Sequence, residues 1–294
     1  MAINLLALVF VAISWGFSFI LIKYTENSVP PMTLMAERGL WGFIAMLALC
    51  LILRRDILGH VKYSLPLLTY GVLGIAFPWI LVSLGEEDVS GGLASVLVAV
   101  SPLTTFIISV FITKEEPFKL ISILGLIVGV VGLIMVVGLK NILAGGTLLT
   151  GTLLIAGGFT AFAIANILIK KTSTKTDPVV ATTYFVGMAT IAMWLMAFMF
   201  EDPLHTDLSE LDIVLEIILG VFCFSIAFIV YYWLIKRAGA FFASLTFYLI
   251  PISGLIAGYF ILHEKVDTSQ VIGMIVVLLG VYLINKHKFQ INKQ

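Results

Sequence analysis

Charged residues are scarce in this chain of 294 residues, at 12% against 61% hydrophobic residues, and the mean hydropathy is +1.13. A soluble domain contains about 45–50% apolar residues. One compact core cannot bury the excess apolar surface, so part of that surface must face lipid. The composition therefore excludes an ordinary soluble protein.

Cysteine is also scarce. Cys50 and Cys223 lie far apart inside apolar runs and lack the spacing of metal ligands, so we expect buried thiols and neither a metal site nor a disulfide. No basic segment precedes the first apolar run, which continues to Ile22. That run is therefore predicted to be a retained helix and not a cleaved signal peptide. No cofactor and no nucleic-acid partner is expected.

The apolar runs have the length of membrane helices. A bilayer core of roughly 30 Å needs about 20 apolar residues per helix. Ten such runs lie between short polar breaks, and none alternates as a β-barrel strand does. They occupy residues 3–24, 32–53, 65–84, 90–112, 119–138, 150–171, 179–200, 213–237, 241–262 and 269–286. The predicted fold is an all-α membrane protein with ten transmembrane helices in one transporter-sized domain, residues 1–294.

The basic residues fall mainly on one side of these predicted helices. With a cytoplasmic N-terminus, thirteen of the 17 lie inside and four outside, namely Lys23, Arg38, Lys140 and Lys265. The positive-inside rule therefore predicts that both termini are cytoplasmic. Short loops without a targeting segment are typical of a bacterial protein, so the predicted location is the inner (plasma) membrane.

The two halves of the chain share an ordered series of residues. The stretches "SPLTTFIISVFITKEEP" and "IPISGLIAGYFILHEKV" place Pro102 and Pro251 149 positions apart, and Glu115 and Glu264 by the same distance. After each glutamate comes a pair of glycines seven residues apart. These glycines are Gly125 and Gly132, then Gly273 and Gly280. We predict two repeats, about 1–138 and about 150–288.

Each predicted repeat contains five helices, and an odd number reverses the direction of the second copy. Inverted repeats are typical of secondary transporters, whose solute site lies near the bilayer midplane between the repeats. The alternative is a duplicated structural bundle that transports nothing.

Three motifs carry a family resemblance. They are "SWGFSFILIK" in the first run, "AERG" in the second, and the repeated "P…(K/H)E…G…G" pattern of runs four, five, nine and ten. With them, nearly the whole chain resembles the ten-helix EamA-like exporters of the drug/metabolite transporter (DMT) superfamily. The resemblance implies a two-repeat carrier that exports amino acids or related small metabolites by alternating access. The "WG" of the first run has no counterpart in the sixth, "GGFTAFAIAN".

Prolines inside apolar runs predict bent helices around a cavity. Pro102 frees the carbonyl of Val98, and Pro251 frees that of Phe247. In lipid a freed carbonyl costs several kcal/mol, so each should face protein or a water-filled cavity. Pro78 is a third candidate for the cavity wall. Plain helix bending at a packed interface is the alternative.

Few charges lie near the membrane. Glu115 and Glu264 close the fourth and ninth runs and are expected to cap the following helix, with gating as the alternative. Glu37 and Arg38, in the second run, are candidates for gating or coupling, or for a snorkelling or helix-packing pair. No acid lies at the centre of a run, which favours facilitated diffusion. The lack of a central Lys or Arg argues against a strongly anionic solute.

Polar and aromatic residues near the centres of the runs are candidate solute contacts. Hydroxyls, amides and aromatic rings suit a zwitterionic or weakly polar solute, whose amino group can lie over a ring. The candidates are Ser14, Trp15, Trp79, Ser101, Thr105, Asn166, Tyr184, Tyr232, Ser244 and Tyr248. Trp79 belongs alternatively to an interfacial aromatic belt.

The predicted function is solute transport. No run contains the paired acids, Ser–His pair or metal cluster of an intramembrane hydrolase, so an enzyme is not expected. A multidrug or cationic compound exporter is the alternative among transporters. A non-transporting receptor or scaffold is the alternative outside that class.

Overall fold

The structure of the protein is a computed structural model that describes the backbone of residues 2–114, 119–173, 175–206 and 208–291. Side chains are described over the same ranges except at 170–173, 236, 239–242, 244 and 285–291. Within these ranges the regular elements are helices, and no strand is present. Eight of the described helices are long and apolar enough to cross a membrane, and two shorter apolar helices, Thr246–Ile261 and Thr268–Ile284, follow them.

The principal helices are labelled α1 to α10 in chain order. Their bounds are α1 Ala2–Thr25, α2 Pro31–Ile52, α3 Leu58–Glu86, α4 Gly91–Ile112, α5 Leu120–Val137, α6 Thr147–Ser173, α7 Pro178–Phe200, α8 210–244, α9 Thr246–Ile261 and α10 Thr268–Ile291. A short helix, Leu139–Ala144, joins α5 to α6. The sequence sets several of the ends: Asp177 caps α7, and Ser209 forms a capping box with Asp212 at the start of α8.

The outer surface of the bundle is apolar. Large aliphatic and aromatic side chains are exposed along several helices, as expected for a surface that contacts lipid. On α5 they are Leu120, Leu124, Ile127, Val130, Val131 and Ile134. The opposite face of α5 is buried and carries glycines.

Helices α5 and α10 cross through these glycines. A Cβ atom added to Gly125 would lie 2.7 Å from the carbonyl oxygen of Gly280, and one added to Gly132 would lie 2.9 Å from that of Gly273. The pairing runs in opposite directions along the two helices, so they are antiparallel. Gly125 in the first half corresponds to Gly273 in the second, and Gly132 corresponds to Gly280. The Gly125–Gly280 and Gly132–Gly273 contacts are therefore equivalent, with the roles of the two helices exchanged.

Corresponding positions of the two halves, about 149 residues apart, share other backbone features. Lys114 and His263, which follow α4 and α9, both have left-handed backbones, with φ of 55° and 53°. This conformation is rare for residues other than glycine, and here it reverses the chain after a helix. In the same way, π-helical segments occur at Gly71–Ala76 in α3 and at Ile218–Ile226 in α8.

An interruption of the helix precedes each of the prolines Pro102 and Pro251. In α4 the helix is interrupted between Leu97 and Val100, and the carbonyl of Val98, freed by Pro102, accepts the Ser101 N–H at 3.0 Å. In the second half the interruption lies at Leu245, before α9 begins, and α9 continues through Pro251. Pro251 is buried, whereas Pro102 is partly buried.

Candidate solute cavity

A small cavity of about 20 Å³, measured as the space open to the centre of a water molecule, lies where α1, α3, α4, α6, α8 and α9 meet, three helices from each half of the chain. All of its lining residues are apolar or aromatic. They are Trp15, Phe19, Pro78, Trp79, Val82, Val98, Phe159, Phe162, Phe228, Phe247 and Ile250.

The aromatic rings of the lining contact one another. The centroid of Trp15 lies 5.4 Å from that of Phe228 and 6.1 Å from that of Phe247. On the other side Trp79 lies 6.0 Å from Phe19 and 6.4 Å from Phe159. These are tilted or edge-on contacts, the favoured geometries of aromatic pairs. The walls are therefore held by ring packing.

Small residues allow the helices around the cavity to approach closely. A Cβ atom on Gly158 of α6 would lie 2.6 Å from the carbonyl oxygen of Pro78 in α3. Between α1 and α9, a side chain on Gly16 would collide with Ser253. The hydroxyl of Ser253 donates to the carbonyl of Ala12 at 2.9 Å, which ties the two helices together.

Arg38 lies behind the Trp79 wall. Its guanidinium carbon is 4.4 Å from the Trp79 ring centroid and 4.9 Å from that of Phe224, and the residue is only 1% exposed. Its Nη1 contacts the sulfur of Met35 at 3.9 Å, while Nε and Nη2 have no hydrogen-bond partner among the described residues. A buried cation with unpartnered donors can accept an anionic group. The snorkelling interpretation of Arg38 is therefore wrong, because the side chain is buried in the bundle.

Acidic groups lie beyond the Val82 end of the cavity. Glu86, the last residue of α3, is fully buried, and neither carboxylate oxygen has a hydrogen-bond partner in the described part of the chain. Glu26 accepts a hydrogen bond from Ser83 at 2.7 Å, and its Oε2 is buried without a partner. The ammonium of Lys23 donates to the backbone carbonyls of Glu86 and Glu87. We call Glu26 and Glu86 the acid pair.

Other glutamates join the two halves at helix ends. Glu264 accepts the N–H groups of Gly91 and Gly92 at 2.8 and 3.0 Å. It therefore caps α4 of the first half, not the following helix α10, because the left-handed His263 turns the chain back. Glu201 similarly accepts the N–H groups of Met32 and Thr33 at the start of α2. A carboxylate at a helix N-terminus is stabilised by the free N–H groups and the helix dipole.

Glu37 lies away from the cavity lining. It is partly buried, and Glu216 of α8 interacts with it electrostatically. Glu216 is buried, with neither carboxylate oxygen hydrogen-bonded to a described residue.

Three of the predicted cavity residues, Trp15, Pro78 and Trp79, line the cavity. Pro251 follows Ile250, which also lines it, and Pro102 lies outside the lining. The placement of Trp79 in the interior rules out the aromatic-belt alternative for this residue.

Several other predicted contacts are engaged elsewhere. Asn166 accepts a hydrogen bond from Tyr70 at 2.7 Å. Tyr184 donates to the carbonyl of Ile57 at 3.0 Å, and Thr105 donates to that of Ser101 at 2.9 Å.

Buried or packed positions account for the rest of the predicted contacts. Ser14 and Ser101 are buried outside the lining, Tyr232 packs 5.8 Å from Phe185, and Tyr248 packs against the cluster of α4, α5 and α10 residues. Glu115 and the side chain of Ser244 lie outside the described residues.

The sequence interpretation missed the acid pair. Glu86 precedes Glu87 and Asp88, so the three acids read as one exterior loop, yet Glu86 is buried inside the bundle. Phe159, Phe162, Phe228 and Phe247 were missed because phenylalanine is common throughout the apolar runs. No single-residue signal separates a cavity-lining phenylalanine from a lipid-facing one.

The long apolar helices and the apolar outer surface are those of a polytopic membrane protein. The profile of the EamA-like transporter family matches residues 2–138 and again residues 149–286. This chain belongs to the EamA-like transporter family, and it is a transporter and not an enzyme.

Similar proteins extend over the whole chain. The uncharacterized transporter YoaV of Bacillus subtilis is 21% identical over 280 residues, 95% of each chain. An uncharacterized transporter of Archaeoglobus fulgidus is 25% identical over 92% of this chain and 94% of its own. Protein PagO of Salmonella typhimurium is 21% identical over 93% of this chain and 90% of its own. A solved crystal structure with 15% identity shares the fold, with a TM-score of 0.70 over 99% of each chain.

Proposed function

We propose that this protein is a secondary transporter that exports zwitterionic amino acids or related small metabolites across a bacterial inner membrane. The observation that carries the proposal is the aromatic cavity between the two halves, with the Arg38 guanidinium behind its Trp79 wall and two of its nitrogens without a partner among the described residues. The cavity of about 20 Å³ is far smaller than a small-molecule site of roughly 300–1,000 Å³, so solute binding requires the aromatic walls to move apart.

The chemistry of the cavity suits the two ends of such a solute. An apolar or aromatic side chain packs against rings such as those of Phe159 and Phe228. The amino group lies over an aromatic face, where a cation is stabilised. The carboxylate meets Nε and Nη2 of Arg38 once Trp79 has moved aside, because a guanidinium binds carboxylates through two parallel hydrogen bonds.

Alternating access requires two halves that can exchange roles. Ten helices in two inverted repeats, about 1–138 and about 150–288, with both termini in the cytoplasm, fulfil this requirement. The proposal is supported by the two separate matches to the family profile, residues 2–138 and 149–286. It is also supported by the reciprocal glycine contacts of α5 and α10 and by the left-handed residues Lys114 and His263.

Export of cationic compounds is the second candidate. It is favoured by one observation, the buried carboxylate of Glu86 beyond the cavity. Cationic solutes would then compete with amino acids for the same cavity, and their flux would depend on Glu86 more than on Arg38.

Proteoliposomes test the proposal. Vesicles containing the protein and loaded with unlabelled L-phenylalanine are expected to take up external labelled L-phenylalanine by counterflow faster than empty vesicles. The variant Arg38→Gln should lose roughly tenfold or more of this flux, since a charged hydrogen bond contributes about 1.5–3 kcal/mol. The matched control is Arg237→Gln, which removes an exposed guanidinium 5.1 Å from the Trp233 ring.

The outcomes separate the candidates. No counterflow of any amino acid in a panel, together with counterflow of a cationic dye, would replace the first candidate by the second. Equal flux in Arg38→Gln and Arg237→Gln would exclude Arg38 from solute binding.

A further inference from the structure

We propose that the acid pair, Glu26 and Glu86, is a proton-binding site, and that proton exchange there drives solute transport. The proton site itself is inferred from the geometry of the pair. The direction of coupling rests on the proposed function, because export towards the acidic side of a membrane requires that solute and proton move in opposite directions.

The pair lies on the same helix faces as the cavity. Pro78, Val82 and Glu86 are spaced by four residues on α3, and the first two line the cavity. Residues spaced in this way share one face of a helix. Phe19 of α1 also lines the cavity, and Glu26 follows it seven residues later, on the same face. Both acids therefore continue walls of the cavity towards one end of the bundle.

Neither acid is neutralised by a direct ion pair with a described residue. The Glu86 side chain is 0% exposed, and both of its oxygens lack hydrogen-bond partners. The Glu26 carboxyl group receives one hydrogen bond, from Ser83, and its Oε2 receives none. Nearby Lys23 donates to main-chain carbonyls and not to either carboxylate.

Charges from every side act on the pair. The cations are Lys23 from α1 and Arg38 from α2, and the remaining acids are Glu87 after α3 and Glu264 after α9. Glu264 is held by two N–H groups of α4, and Arg38 lies on two aromatic rings. The α6 contacts at this end are Gly151 and Ile155, which carry no charge. Two partly engaged cations thus face a group of acids, of which Glu86 is buried and Glu26 is partly buried.

Binding of a proton by the acid pair neutralises a carboxylate without a rearrangement of the surrounding side chains. Removal from water disfavours an ionised carboxyl group, and two neighbouring carboxylates disfavour each other's ionisation. Burial raises the pKa of Glu26 to about 8, an effect that the Ser83 hydrogen bond and Lys23 partly oppose. A carboxyl group with such a pKa gains and loses a proton near neutral pH. A proton also needs no coordination shell, whereas a metal cation would need several oxygen ligands.

Proton binding is linked to closure of this end of the bundle. In the structure the end is closed, because Lys23 joins α1 to α3 and Glu264 joins the end of α9 to α4. Opening would admit water to the pair and stabilise its ionised form. The closed state therefore binds protons more tightly than the open state, and by linkage a proton favours closure.

Infrared titration of the purified protein tests the proton site without any solute. A protonated carboxyl C=O absorption should disappear as pH rises through the region near 8 in the wild-type protein. It should be reduced in Glu86→Gln and in Glu26→Gln, and unchanged in the control Glu210→Gln, which alters an exposed acid outside the pair. Size-exclusion profiles establish that each variant folds, and two separate variants keep the test valid if one does not.

Proteoliposomes then test coupling. An outwardly directed L-phenylalanine movement should be accelerated by an inwardly directed proton gradient in the wild-type protein. In Glu26→Gln, counterflow at equal pH should persist within about threefold, while the effect of the gradient should be lost. The control Glu210→Gln should respond as the wild type does.

The results of these experiments separate the proton site, the coupling and the proposed solute from one another. An infrared titration that is identical in wild type, Glu26→Gln and Glu86→Gln would overturn the proton site. Counterflow in the wild type that ignores the proton gradient would overturn coupling while leaving the transporter proposal intact. A titrating acid pair without any L-phenylalanine counterflow would support the proton site and count against the proposed solute.

Discussion

Replacement of Trp79 tests two features together, the packing of the cavity wall and the contact that holds the Arg38 guanidinium. Trp79 contacts Phe19 and Phe159, and its ring supports the Arg38 guanidinium at 4.4 Å. The variant Trp79→Leu removes the cation–π contact, which is worth about 2 kcal/mol when desolvated. It also removes two aromatic pairs of about 0.5–1.5 kcal/mol each and leaves a larger cavity. We therefore expect Trp79→Leu to lower the free energy of unfolding by about 3–5 kcal/mol.

The variant Trp79→Phe retains a ring in contact with Arg38. It should lose only about 1–2 kcal/mol, and counterflow should stay within a few-fold of the wild type. Unfolding by denaturant in micelles measures the stability, and proteoliposome counterflow measures the function.

Trp194→Leu serves as the control. Trp194 is partly buried and packs on Phe198 of its own helix, so its loss should cost less than about 1.5 kcal/mol and spare transport. The reasoning would be refuted if Trp79→Leu and Trp194→Leu had equal effects on stability and flux. It would also be refuted if Trp79→Phe were as damaging as Trp79→Leu.

Three further predictions concern helix contacts and pH. Gly280→Ala should destabilise the protein, because the added Cβ would collide with the backbone of Gly129. Gly157→Ala should stabilise it by about 0.5–1 kcal/mol, because no atom lies closer than 3.9 Å to the added Cβ. Thermal unfolding of the two variants tests both expectations. Glu264→Ala should lower the free energy of unfolding by about 2–4 kcal/mol, because it removes both acceptors for the N–H groups at the start of α4. Glu264→Gln should have an intermediate effect. Equal effects of the two variants would contradict the capping role of Glu264. The folded protein retains a proton on Glu26, with its pKa raised from 4.5 to about 8, which the unfolded chain releases. Stability should therefore fall as pH rises through this window, and a pH series of melting temperatures should be flatter in Glu26→Gln.

The sequence is informative about the helices because their length is set by the membrane. Apolar runs between charged or proline-containing breaks lie close to the observed helices; the run 179–200, for example, matches α7, Pro178–Phe200. An intramembrane proline must sit where its freed carbonyl has a partner, and this requirement predicts both Pro78 and Pro102 on the cavity wall. Pro78 lies there, but the prediction failed for Pro102, which lies outside the lining.

Side-chain partners across the bundle could not be predicted in the same way. The sequence indicates that Glu264 caps a helix, but the identity of that helix depends on how α4 and α9 are packed. Whether an acid at the end of a run is solvated or buried depends on the neighbouring helices, and Glu86 and Glu87, adjacent in sequence, differ in this respect. The burial of Arg38 between Trp79 of α3 and Phe224 of α8 likewise depends on long-range packing.

The central claim is that two halves of one chain cross the membrane in opposite directions around a shared cavity. Single cysteines introduced at Lys114 and at His263, in a background where Cys50 and Cys223 are replaced by alanine, test it directly in right-side-out vesicles. A membrane-impermeant maleimide should label Cys at 263 from outside and should reach Cys at 114 only after the vesicles are permeabilised. Labelling of both positions from the same side would contradict the account.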